Sequence, residues 1–91
     1  MAHTQTNKEQ LVKRVRRIAG QIQAVERALE EDAPCAVTLH RVAAVRGAIN
    51  GLLDEILADH LREHVARPGL TDAERAAGAE ELLTVIRRHA R

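Results

Sequence analysis

Apolar residues recur at Leu11, Val15, Ile18, Ile22, Val25 and Leu29, at spacings of four, three, four, three and four. On a helix of 3.6 residues per turn that alternation keeps one continuous stripe, so it predicts a long amphipathic helix over about residues 7–31. The stretch EEDAPC interrupts it, because Pro34 cannot donate to the helical ladder and disfavours helical geometry at Ala33. With Pro34 in a first turn, and Asp32 or Ala33 nearby to cap it, a second helix is expected over about 34–66. Its seam is Val42, Val45, Ile49, Leu52 and Ile56, with Leu53, Leu57, His60 and His64 along the flank. RPGLT at 67–71 reads as a turn, and Thr71 followed by Glu74 has the spacing of a capping box. That box opens a third helix over 72–89, expected to bury Leu82, Leu83, Val85 and Ile86. The polar MAHTQT at 1–6 reads as a flexible arm, and Ala after Met predicts removal of the Met, giving the mature amine to Ala2. No alternating strand pattern occurs, so the expectation is one all-α domain over 1–91.

At 91 residues a lone domain buries a modest share of its surface, which makes oligomerisation plausible from size alone. The absence of Phe, Tyr and Trp makes the core aliphatic. It also removes the stacking platforms of single-stranded nucleic-acid binders and RNA-recognition sheets, so no RNA partner is expected. One Cys excludes an intrachain disulfide and suits a reducing cytosol. No apolar run reaches the length of a signal-peptide core or a membrane span, so the expected location is cytoplasmic, with no membrane partner.

Cys35, His60 and His64, with His3 on the arm, form the chemically suggestive set. His60 and His64 stand one helical turn apart on one face, whereas Cys35 lies 25 residues upstream of His60, roughly 37 Å along a helix. Two copies of the chain are needed to bring the set together. If the second helix pairs antiparallel with its copy about a two-fold axis, Cys35 of one chain faces the His pair of the other when the crossing falls at 48–49. There Gly47, Ala48 and Gly51 supply small residues, which gives a reason for two glycines that are otherwise costly inside a helix. Cys35 also falls in a first turn, where the helix dipole favours an anionic group. Two imidazoles and one thiolate suit cobalt, nickel or zinc, and copper(I) less well. His3 and the Ala2 amine would raise the coordination number, favouring nickel or cobalt over tetrahedral zinc. Taken singly, a Cys at a helix start is usually a small packed residue and a His pair on a flank is usually surface, so the joint geometry carries the weight. His40 and His89 read as surface residues, and Arg46, on an apolar stripe, needs an acceptor or a subunit junction.

The formal net charge is only +1, yet Lys8, Lys13, Arg14, Arg16 and Arg17 face the single acid Glu9 over 8–17. Lys13, Arg14, Arg17 and Gln21 share one arc, with Arg16 further round. A charged helix face is usually just a solvated face, but this density without interleaved acids suits phosphate contacts on double-stranded DNA. No helix-turn-helix is recognisable, so sequence preference would rest partly on DNA shape.

The stretches RVRRIAGQIQAVERALE, then Cys35, then RVAAVRGAINGLLDEILADHLREH resemble the CsoR/RcnR/FrmR family of bacterial repressors over nearly the full chain. The resemblance implies an all-helical protomer forming an antiparallel four-helix-bundle dimer, assembled as a dimer of dimers, hence a homotetramer. It also implies sensing sites shared between subunits and operator DNA bound by helix-one residues, with release on effector binding. The ligand pattern of the nickel and cobalt branch, His, Cys, His, His, matches His3, Cys35, His60 and His64. The copper branch has Cys at the last position. The formaldehyde branch uses an amino-terminal Pro amine and usually Glu there, against Ala2 and His64 here, although the helix-one sequence looks much like that branch. An enzymatic use of Cys35 as a nucleophile activated by a His lacks an evident oxyanion hole or substrate pocket.

Overall fold

The computed structural model describes residues 7–89, so the expectations for Ala2 and His3 lie outside the described residues. Three α-helices account for nearly all of it: α1 (Lys8–Glu30), α2 (Cys35–Leu61) and α3 (Asp72–His89). Between α2 and α3 lies a five-residue π turn, Arg62–Ala66. Among the described residues there is no strand. The chain forms two compact units, one over Asn7–Leu53 and one containing Asp54 onward, with α2 running through both.

In the first unit, α1 stops in a way that reassigns Asp32. The Ala33 N–H donates to the Ala28 carbonyl at 2.9 Å and the Asp32 N–H to that of Leu29 at 3.3 Å, with Asp32 left-handed at φ 53°. This is a Schellman arrangement, so Asp32 closes α1 instead of capping α2. Pro34 then stands one position earlier than expected. Its carbonyl accepts from Val37 at 2.9 Å and Thr38 at 3.4 Å, and α2 begins at Cys35.

The apolar stripe of α1 divides lengthwise. Leu11 and Ile18 are buried and Val25 is half-buried, whereas Val15, Ile22 and Leu29 are 49, 51 and 63% exposed. Ala28, outside the expected seam, is the most buried core residue of the helix. The exposed positions follow one edge of the stripe, and among the described residues only the other edge is covered. The Arg41 guanidinium of α2 donates to the Ala24 carbonyl of α1 at 2.9 Å, tying the two helices together. On α2, Val45 and Leu52 are half-buried, while Leu39, Val42 and Ile49 remain exposed.

In the second unit, the expected capping box is present. The Thr71 N–H donates to Glu74 Oε1 at 2.8 Å and the Glu74 N–H to Thr71 Oγ1 at 3.0 Å. Gly69 supplies the left-handed residue of the preceding turn at φ 88°. The buried position of α3 is Gly78; Leu82 and Val85 are half-buried, and Leu83 and Ile86, expected inside, are exposed. Gly78, Leu82 and Val85 follow one another at spacings of four and three along one face, and Leu83 and Ile86 stand one residue further round, off that face. Continuous α-helix was expected to 66, but its last five residues are π.

Candidate functional site

His60 and His64 are brought together as the one-turn spacing requires. Their ring centroids lie 4.8 Å apart with the planes tilted by 39°. His60 comes from the last turn of α2 and His64 from the π turn. The His60 side chain is only 17% exposed, and its Nε2 lies 3.0 Å from the Gly78 carbonyl and 3.7 Å from Glu81 Oε1. A carbonyl oxygen only accepts, so Nε2 carries the proton in this contact. In the neutral ring the lone pair then resides on Nδ1, the nitrogen suited to a ligand.

Cys35 is an exposed free thiol at the first residue of α2. Among the described residues, no group of three His, Cys, Asp or Glu side chains could hold a metal ion. The imidazole pair therefore fits a borderline divalent ion as two donors of a set that these residues do not complete.

Several neighbours of the pair carried no signal in the sequence. Asp59 is 5% exposed, and Arg62 donates to its Oδ1 at 2.6 Å. Glu81 reaches His60 from α3, and Gly78 gives His60 its acceptor. Arg75 donates to the carbonyls of Val65 and Leu70. The Asp59–Arg62 bond is a local i,i+3 pair whose spacing could have been noticed in the chain, whereas the other contacts join residues through tertiary packing.

The basic residues of α1 form two adjoining recesses in the first unit. Lys13, Arg14 and Arg17, with Gln10, line one of about 220 Å³. Arg14, Arg17 and Ile18 line a second, of about 170 Å³, together with Gly47, Ala48 and Gly51 of α2. A Cβ on Gly51 would sit 3.4 Å from Arg14 Nη1, and one on Gly47 would meet nothing within 4 Å. The glycines assigned from sequence to a crossing of two α2 helices thus stand opposite the α1 arginines of their own chain. Gln10 joins the set, whereas exposed Arg16 lines neither recess. The Gln21 amide oxygen is buried, with no hydrogen-bond partner among the described residues. Arg46, His40 and His89 are exposed.

The family model of metal-sensitive transcriptional repressors matches residues 7–88. The chain is 47% identical over 87 residues, 96% of each chain, to an uncharacterised protein in the bioA 5′ region of Serratia marcescens. It is 38% identical over 86 residues, 94% of each chain, to the transcriptional repressor RcnR of Salmonella arizonae. Among solved structures it resembles a histidine-for-glutamate variant of the formaldehyde-responsive regulator FrmR from Salmonella enterica serovar Typhimurium. That match has a TM-score of 0.87 and 42% identity, and covers 94% of this chain and 97% of the other.

Proposed function

Because the chain belongs to the metal-sensitive transcriptional repressors, which are not enzymes, we propose that it binds operator DNA when metal-free and releases it on binding nickel or cobalt. The observation that carries this reading is the His60/His64 pair, two imidazoles 4.8 Å apart beside an acidic neighbour, in a family described as metal-sensitive. Cys35 of a second copy supplies the thiolate, and His3 and the Ala2 amine complete a higher-coordinate set. Zinc, which needs only four donors, is the competing ion. A site built from two chains requires an oligomer, a homotetramer by the family resemblance, working in the cytoplasm.

Lys13, Arg14, Arg16 and Arg17 contact phosphates, with Gln21 alongside. The two recesses support this for Lys13, Arg14 and Arg17, since they gather those cationic side chains into concave surface. Metal bound between two copies of the chain prefers one arrangement of their α1 faces over another, and that differential affinity is the coupling to DNA.

The second reading, a formaldehyde-responsive repressor using Cys35 and the amino-terminal amine, is favoured by the likeness to the FrmR variant. One experiment separates the two. Metal-free protein on fluorescent operator DNA is titrated with nickel, cobalt, zinc, copper(I) and formaldehyde at two salt concentrations. Dissociation by nickel or cobalt at the lowest concentration is expected, together with weaker binding at high salt. Dissociation by formaldehyde alone replaces the metal reading with the second one.

A further inference from the structure

The π turn is held on three sides. At its start, Arg62 donates to buried Asp59 at 2.6 Å. Along its flank, Gly78 of α3 is buried directly against the His64 backbone: a Cβ there would overlap the His64 carbonyl oxygen and lie 2.8 Å from its carbon and 2.9 Å from its Cβ. At its end, Arg75 Nη1 donates to the Val65 carbonyl and Nη2 to that of Leu70 at 3.5 Å. These bonds answer a need of the backbone. The chain turns extended at Arg67, with ψ 133°, so the last carbonyls of the turn lose the amide donors that a continuing helix would bring. The half-buried Arg75 guanidinium supplies one of them, at the Val65 carbonyl, and ties the turn to the following loop at Leu70.

We infer that Arg75 and Gly78 are positioning residues for the His60/His64 pair, because they clamp the π turn that carries His64. The inference rests on the reading that these imidazoles receive the effector. A π turn is rare, appears mostly as a single turn within α-helices, and is frequent at functional sites. Relaxation to α geometry tightens the wide turn and changes the rotation per residue about the helix axis within it. It changes the bearing of His64 from His60 even though both side chains stay intact. Gly78 does double duty, since its carbonyl also receives His60 Nε2 and so turns Nδ1 of that ring toward ligand duty. One residue pair on α3 thereby sets the backbone of one imidazole and the tautomer of the other.

The test compares Arg75→Met, which keeps side-chain length without the donors, Arg75→Lys, which keeps one donor group, and Gly78→Ala, all in the full chain. In metal-free protein, amide exchange and imidazole ¹⁵N signals are read by NMR, with helix content by circular dichroism as the control. Arg75→Met is expected to speed exchange of the 62–66 amides at least about tenfold and leave the α1 amides unchanged. Cobalt affinity, read by absorption, should fall about 10- to 100-fold, as for other outer-shell partners of a metal ligand. Operator affinity of the metal-free form should stay within about twofold. Gly78→Ala should also shift the His60 nitrogen signals, and Arg75→Lys should fall between Met and the parent. Unchanged exchange at 62–66 and unchanged cobalt affinity in Arg75→Met overturn the inference, as does faster exchange spread equally over α1. If His64→Ala binds cobalt like the parent, the metal reading has failed instead, and the exchange and imidazole signals alone decide the clamp.

Discussion

Asp59 shows how one buried charge organises its surroundings. Its carboxylate is nearly inaccessible, and the partner Arg62 keeps most of its guanidinium in water while donating at 2.6 Å. Water cannot easily replace that donor at the carboxylate, so losing it leaves a desolvated acceptor short of a bond. Arg67 and Glu63, at 3.4 Å, form the contrasting case of a pair open to solvent on both sides. We expect Arg62→Ala to cost about 1.5–3 kcal/mol and Arg67→Ala under about 1 kcal/mol, measured by urea unfolding at one fixed protein concentration. Equal costs would mean that burial of Asp59 does not govern the pair. His60 and His64 could be placed on one face from their spacing alone, since helical periodicity is a local rule. Glu81, Gly78 and Arg75 could not, because α3 meets the His pair through tertiary packing that no short-range pattern encodes.

The elements show the same division between local chemistry and context. Thr71 and Glu74 were legible as a capping box because both halves lie within one turn, and both bonds are present. The π turn was not legible: REHVA is ordinary helical sequence, and its geometry is tied to the Arg75 and Gly78 contacts outside it. The role of Asp32 is not legible in the sequence because the same residue type suits a helix start and a left-handed helix end, and only the bonds from Ala33 to Ala28 and from Asp32 to Leu29 distinguish them. The capping box also predicts a pH effect. The Glu74 carboxyl is held below its ordinary value of 4.5, first by the backbone N–H of Thr71, then by the Thr71 side chain, with Arg67 adding to it. A lowered folded-state value means that this contribution is fully present above 4.5 and is lost as pH falls through the lowered value. Thermal melts of the parent and Glu74→Ala should therefore differ at pH 7, and the charge-dependent part of the difference should begin to shrink as pH falls below 4.5 and vanish only below the lowered value. A gap that stays constant down to the most acid sample would show that the carboxylate charge contributes nothing.

For the whole molecule, the divided stripe of α1 is the informative feature. Leu11 and Ile18 have their neighbours within the chain, but Val15, Ile22 and Leu29 repeat every seven residues with about half or more of their surface exposed. Val42 and Ile49 of α2, also seven apart, are exposed in the same way. The even heptad spacing that made α1 readable from sequence is thus twice what one chain uses, which is the pattern of a helix with a second partner. If a second copy covers that half, then breaking the contact is expected also to dismantle the proposed sensing site, which draws Cys35 from one chain and His60 and His64 from another. Ile22→Glu tests both steps at once, because it places a charge at the middle of the exposed stripe and alters none of the proposed ligands. Sedimentation should show the variant as a smaller species with its helix content retained, and cobalt affinity should fall at least about tenfold, the lower end of what losing even an outer-shell partner of a ligand costs. Retained assembly with full cobalt affinity would mean that the stripe is not the contact between chains. Dissociation with full cobalt affinity would place all the ligands on one chain, and the 25 residues between Cys35 and His60 would then have to be spanned in another way.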